Sequence, residues 1–191
     1  MNGELEAKLV SLHSGYNEDM SKESHDSLSI ALEGFPGDKH AGFTRLAASW
    51  DPEPTGSTRR NERQWSGVTS EELAIIAEKM GLGEPLDPGT LGANICLQGM
   101  PDFSQLERGS KLIFPSGAVL LVEEGNPPCA DMGERIAEVH TATSGEAVAG
   151  KFFPKLAMGL RGVVGVVDVP GVISLGDRVI VRPSGLHSEH S

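Results

Sequence analysis

The 191-residue sequence predicts a mainly β fold with a few helices, built as a barrel or a strongly bent sheet. Three observations point there. Short apolar alternations recur along the chain, each ended by glycine or proline. The 24 glycines are close to twice the usual share of about 7%. One segment alone carries a complete helix signature, with both ends marked.

Leu5, Ala7 and Leu9 alternate as at the start of a strand. Leu28, Ile30 and Leu32 do the same within Ser27–Glu33, with one face expected buried and the other wet. Gly34-Phe35-Pro36-Gly37-Asp38-Lys39-His40-Ala41-Gly42 follows as a glycine-punctuated loop. Residues 51–63 contain no apolar side chain beyond proline and read as a surface loop, with the densest basic cluster of the chain at Arg59, Arg60 and Arg63. The helix is Ser70–Met80. Thr69 and Glu72 have capping-box spacing, Val68 and Leu73 occupy the staple positions, and Leu73, Ile76, Ala77 and Met80 form one stripe. Gly81 supplies the left-handed stop. Lys111–Phe114 and Ala118–Glu123, joined through Pro115-Ser116-Gly117, predict a hairpin. Residues 147–158 read as a helix interrupted by Pro154. Val163–Val169, Val172-Ile173 and Arg178–Arg182 form a second strand cluster around the Pro170-Gly171 turn. One domain is expected over residues 1–182, with a loose tail over 183–191.

Composition excludes several classes. A net charge of −11 offers no general surface for phosphate backbones, so nucleic acid is not an expected partner. No apolar run approaches the roughly 20 residues of a membrane span, and the acidic N-terminus lacks the apolar core of a secretory signal. A cytoplasmic location is expected. Two cysteines are too few for a disulfide framework or a four-cysteine zinc site. The phosphate loop, the dinucleotide fingerprint and the nucleophile elbow are all missing from the sequence.

Cys129 is the candidate for chemistry. It follows Pro127-Pro128 on a rigid loop past a strand end, which suits a thiol that ligates a soft metal or carries sulfur, and equally one that packs beneath the loop. Cys96, between Ile95 and Leu97, reads as a small core residue. His40, two residues from Asp38, is open to three readings: ligand, acid–base group or surface side chain. Asp38 either orients it or makes the turn. Arg59, Arg60, Arg63 and Arg161 are the arginines available to a phosphate, with Arg59 read as solvated.

These segments, in order, resemble the MOSC domain, the family named for the C-terminal domain of molybdenum-cofactor sulfurases, and in particular its small stand-alone bacterial members. The resemblance runs from about residue 5 to about residue 182. It is carried by Gly34-x-x-Gly37-Asp38-x-His40-x-Gly42, by Asn61-Glu62-Arg63-Gln64-Trp65-Ser66, and by Pro88–Ile95 with Gly99 and Asp102 beyond. Pro128-Cys129, Gly159-Leu160-Arg161-Gly162, and Pro170-Gly171 with Gly176-Asp177 complete it.

The resemblance implies a closed β-barrel of the kind also seen in pyruvate kinase, and handling of molybdenum cofactor or its sulfur. Cys129 is then a persulfide-type sulfur carrier or a molybdenum ligand. Asp38, His40, Arg63, Gln64, Asn94, Arg161 and Gly162 become candidates to bind the cofactor, molybdopterin, a pterin that carries a phosphate. A cysteine desulfurase or a molybdoenzyme is the implied partner, with pyridoxal phosphate on the desulfurase only, since no lysine here has a Schiff-base context. Two alternatives follow from the same resemblance: a cofactor-dependent reductase of N-hydroxylated compounds, and an interaction domain without chemistry. The family often has glutamate before the asparagine where this chain has Ala93, which is expected to remove an acidic group from the pocket. An aromatic residue the family often carries near Val163-Val164 is also missing.

Overall fold

A computed structural model describes residues 3–18 and 20–185. Its strands are β1 (Leu5–Ser14), β2 (Glu23–Ser24), β3 (Ser27–Ile30), β4 (Thr44–Leu46), β5 (Thr58–Arg60), β6 (Trp65–Thr69), β7 (Ile95–Gln98), β8 (Lys111–Ile113), β9 (Val119–Gly125), β10 (Val163–Val169), β11 (Gly171–Ser174) and β12 (Arg178–Arg182). The helices are α1 (Ser70–Met80), α2 (Ala130–Val139) and the single turn α3 (Phe153–Leu156).

Seven strands pair in the order β12-β8-β9-β10-β6-β7-β1, and β1 returns to β12, so the expected closed barrel forms. Closure leaves the seven barrel strands paired on both sides. The interior is filled by Leu9, Trp65, Ile95, Leu97, Leu120 and Val181 among others. In β1 a register irregularity between Leu9 and Ser11 resets the alternation, so Leu9 and Leu12 are both buried while Val10 is exposed. That bulge is why the sequence pattern reads cleanly only as far as Leu9.

The β6–β7 pair is parallel and therefore needs a crossover, which α1 supplies. Thr69 Oγ1 accepts from the Glu72 amide at 3.4 Å, and Gly81 closes the helix at φ 65°. The other half of the expected capping box is absent: the Glu72 carboxylate turns away to Ser104. Leu73, Ile76 and Ala77 pack outside the barrel against Val68, Cys96, Ile136 and Phe153. Cys96 is a core residue, and burial pushes its thiol up to about 12.

Three expectations are corrected, and one helix is added. Strand β3 ends at Ile30, because Ala31 and Gly34 exchange backbone hydrogen bonds in a tight turn, which leaves Leu32 exposed. It pairs with β11 in a separate two-stranded ribbon. Residues 51–63 include β5, paired with β4 in another ribbon, which polar side chains conceal from a hydrophobicity pattern. Residues 147–158 form a 3-10 turn over Gly150–Phe152 and the short α3, with Pro154 in its first turn. The ten-residue α2 has no counterpart in the sequence reading. Its apolar stripe is only Met132, Ile136 and the glycine Gly133, whose backbone packs directly on Gly150, where a Cβ would overlap the Gly150 carbonyl.

The Ser184 amide donates to Ser110 Oγ at 3.0 Å, so this part of the expected tail is tied to the barrel. Residues 186–191 of that tail lie outside the described residues. Among the described residues no helix is long and apolar enough to cross a membrane.

Candidate functional site

A cavity of about 480 Å³ opens beside Cys129. Its wall comes from the β1–β2 loop with Met20 and Lys22, the β3–β4 loop with Lys39 and His40, and Trp50 on the β4–β5 ribbon. Arg63 and Trp65 enter from β6 and the residues before it, Arg161 from the segment before β10, and Cys129 from the β9–α2 connection. Cys129 is exposed and sits at the N-cap of α2, a detail its two prolines do not disclose. Its Sγ makes no capping bond, so the sulfur is not spent on the helix end.

The cavity wall carries Lys22, Lys39, His40, Arg63 and Arg161 and, among the described residues, no aspartate or glutamate. In a chain of net charge −11 that is a strong local reversal. Some of these cations are compensated from behind. Arg63 donates to Glu124 Oε1 at 2.7 Å and to Asn126 Oδ1 at 2.8 Å, which braces the loop leading to Cys129. Lys22 Nζ lies 2.8 Å from Asp38 Oδ2, with both side chains essentially excluded from water.

Asp38 is the knot beneath the cavity. Besides Lys22, it accepts from the His40 amide at 2.9 Å, the Gly15 amide at 3.3 Å and Asn94 Nδ2 at 2.9 Å. Burial raises its pKa, but the bonds from His40 and the Lys22 ammonium outweigh that and hold the carboxyl well below the usual range. Burial also lowers Lys22, more than its pairing with Asp38 restores.

Arg161 is different. It is buried and donates to the Leu91 carbonyl at 2.6 Å, while its Nη1 has no partner. No carboxylate pairs with it among the described residues. Burial lowers its pKa to about 10, while Cys129 raises it and Arg63 lowers it further. The guanidinium therefore stays charged at neutral pH. A buried charge without a counter-ion is costly, and an anion bound beside the guanidinium would offset that cost.

The structure brings four of the eight candidates to the cavity wall: Cys129, His40, Arg63 and Arg161. Asp38 and Asn94 lie directly behind it. Asn94 donates to the His13 carbonyl as well as to Asp38, and its Oδ1 accepts from the Ser66 amide. Gln64 faces elsewhere: its Nε2 donates to the Leu32 and Gly42 carbonyls and its Oε1 accepts from the Val167 amide, so its side chain fastens the β3–β4 loop to β10 of the barrel. Gly162 is off the wall too. With φ 87° and a Cβ position that would overlap the Gly67 carbonyl oxygen, only glycine fits, and its carbonyl accepts from the Asn126 amide at 2.9 Å.

Arg59 and Arg60 do not reach the cavity wall. Arg59 pairs with Asp51, Glu53 and Glu62, and Arg60 with Glu123. Ala93 faces the apolar cluster around Val68 and Leu91 rather than the cavity, so the loss of a glutamate there does not remove a wall group in this chain. Sequence reading missed Lys22 and Trp50. Lys22 lies in a stretch without periodicity. Trp50 is 79% exposed, next to Asp51, which Arg45 and Arg59 clamp from two sides; a lone aromatic beside a polar loop carries no pattern.

Comparison with known proteins agrees with this architecture. The MOSC domain profile matches residues 51–180. A Bacillus subtilis strain 168 protein, YuaD, named as a candidate metal-sulfur cluster biosynthesis protein, is 39% identical over 179 residues, covering 93% of this chain and 91% of its own. The chain belongs to the MOSC domain family. Among solved structures, the crystal structure of Bacillus subtilis YuaD superposes with a TM-score of 0.88 at 36% identity, over 96% of this chain and 99% of that one. YiiM from Geobacillus stearothermophilus gives 0.63 at 16% identity, over 94% and 77%, and shares the fold.

Proposed function

We propose that this protein handles molybdenum cofactor or its sulfur, with Cys129 as the group that takes up sulfur. The single observation that carries the reading is Arg161: a buried guanidinium whose Nη1 has no partner and which, among the described residues, pairs with no carboxylate, on the wall of the same cavity as an exposed thiol. A persulfide or a bound anion at that wall supplies the missing counter-charge. The name of YuaD, which refers to metal-sulfur cluster biosynthesis, is in keeping with sulfur handling.

In the carrier role, the Cys129 thiolate attacks the terminal sulfur of a partner's cysteine persulfide. The new S–S bond forms at Cys129 as the donor S–S bond breaks, the donor leaves as a thiol, and no external oxidant or reductant is needed. The implied donor is a pyridoxal-phosphate-dependent cysteine desulfurase, and the implied recipient a molybdoenzyme or its cofactor.

A cavity of about 480 Å³ is far larger than one sulfur atom needs and falls within the range of small-molecule sites. The residues present fit molybdopterin on two counts. Lys22 and Arg161 would hold its phosphate, and the Cys129 thiolate is a soft donor for its molybdenum. Bound there, the cofactor would supply two-electron redox chemistry, which is the route to the reductase alternative. Asp38 keeps Lys22 in place, and Arg63 braces the loop that presents Cys129.

Incubation with a cysteine desulfurase and cysteine, read by intact mass, tests the carrier role. The expected result is a one-sulfur adduct that Cys129→Ser abolishes and Cys96→Ser retains. Pterin and molybdenum content of protein from a cofactor-producing host tests the binding role.

A further inference from the structure

We propose that Glu72 is a positioning residue for the candidate pocket: through Ser104 and Gly162, its carboxylate fixes the two backbone segments that present Arg161 and Cys129.

Glu72 is on α1, 1% exposed, and no lysine or arginine pairs with it among the described residues. The cavity does not include it. A buried carboxylate without a cation needs another reason to be charged. That reason is a continuous line of hydrogen bonds. The Ser104 amide donates to Oε1 at 2.8 Å and the Ser104 hydroxyl to Oε2 at 2.8 Å. The same hydroxyl accepts from the Gly162 amide at 2.7 Å. The Gly162 carbonyl accepts from the Asn126 amide at 2.9 Å, and Asn126 in turn is held by Arg63. Gly162 follows Arg161 directly, and Asn126 is three residues before Cys129. The line therefore runs from a helix outside the barrel to both halves of the pocket.

The line has a direction. With Oε2 ionised, the Ser104 hydroxyl gives its proton to that oxygen and keeps its lone pairs for the Gly162 amide. If Oε2 carries a proton, it donates to Ser104 Oγ instead; that oxygen then accepts from both Oε2 and Gly162 while its own hydrogen loses the carboxylate, so the charge-assisted hold on Gly162 is weakened. Burial raises the Glu72 pKa to about 7 against the hydrogen bonds from Ser104 and Thr69, and Asp102 is the charged neighbour that raises it further. The change thus falls near neutral pH. The functional consequence rests on reading the pocket as an anion site; the placement of the two segments does not.

The test is a backbone amide NMR titration from about pH 5.5 to about pH 8.5, a range that brackets a group titrating near neutrality. In wild type, the Gly162 and Asn126 amides should follow one titration curve. That curve should vanish in Glu72→Gln. In Ser104→Ala, Glu72 still titrates, but Gly162 should cease to follow it. Sulfate, which does not titrate in this range, is the probe for the pocket: its affinity for wild type relative to Glu72→Gln should rise severalfold with pH. His40 and the wall cations are common to both proteins and cancel in that ratio. Identical amide curves in Glu72→Gln, or a ratio flat across the range, would overturn the proposal. Sulfate failing to bind wild type at any pH, with the amide curves as expected, would refute the anion-site reading and leave the positioning role standing.

Discussion

Replacing Asp38 by asparagine removes the charge on which the floor of the pocket depends. The carboxylate is completely excluded from water and its Lys22 partner is 3% exposed. Its Oδ2 alone receives Lys22, Asn94 and the Gly15 amide. An amide nitrogen at that position would point hydrogens at three donors, and the Lys22 ammonium would be buried without a counter-ion. Breaking a buried pair from one side costs about 3–5 kcal/mol. For a chain of this size each kcal/mol lowers the melting temperature by about 2–4 °C, so Asp38→Asn should melt about 6–20 °C below wild type. Calorimetry or circular dichroism on purified protein measures this. Removing both charges, as Asp38→Asn with Lys22→Met, should recover most of the loss, because the unpaired ammonium is then gone. A single-variant loss under about 2 °C, or a double variant no better than the single, would refute the argument that this pair is a desolvated, mutually dependent unit.

Further outcomes follow from the same geometry. Arg161→Met should leave stability unchanged or higher, since it removes a buried charge that no carboxylate pairs among the described residues, yet should abolish sulfate binding in the pocket; denaturant unfolding and calorimetric titration measure the two effects. Gly162→Ala should destabilise by more than the roughly 1–2 kcal/mol of a left-handed non-glycine residue, because its Cβ also overlaps the Gly67 carbonyl; urea unfolding checks it. Trp50→Phe should shift the fluorescence emission to the blue with little change in stability, as the remaining tryptophan, Trp65, is fully buried. Glu72 retains its proton in the folded state from about pH 4.5 up to about 7 while the unfolded chain loses it, so stability should fall as pH rises through that window. Glu72→Gln should remove that slope in melting curves taken across the window.

Much of the barrel was legible from sequence because several strands are short apolar runs bounded by turn residues: the β8–β9 hairpin, β10 and β12 fall where those runs put them, and α1 lies between its Thr69 and Gly81 signals. What escaped has a physical reason in each case. The β4–β5 ribbon is held by Arg45, Arg59, Asp51 and Glu62, whose ion pairs look like loop composition until the partners are known. Helix α2 seats on Gly133 and Gly150, a backbone contact that no hydrophobic period records. In the site, Cys129, His40, Arg63 and Arg161 came forward as chemical types in motif segments. Lys22 did not, because a lysine becomes unusual only when it is buried, and burial is a property of the fold. Gln64 shows the converse: a polar residue in a motif segment, spent entirely on backbone groups of the β3–β4 loop and β10.

The central claim is that Cys129, beside the buried Arg161 with its unpartnered Nη1, is where this protein takes up sulfur. Intact-mass analysis after incubation with a cysteine desulfurase and cysteine tests it most directly. A single-sulfur adduct in wild type and in Cys96→Ser, lost in Cys129→Ser and diminished in Arg161→Met, is the predicted result. No adduct on folded wild type, or an adduct that persists when Cys129 is serine, would contradict it.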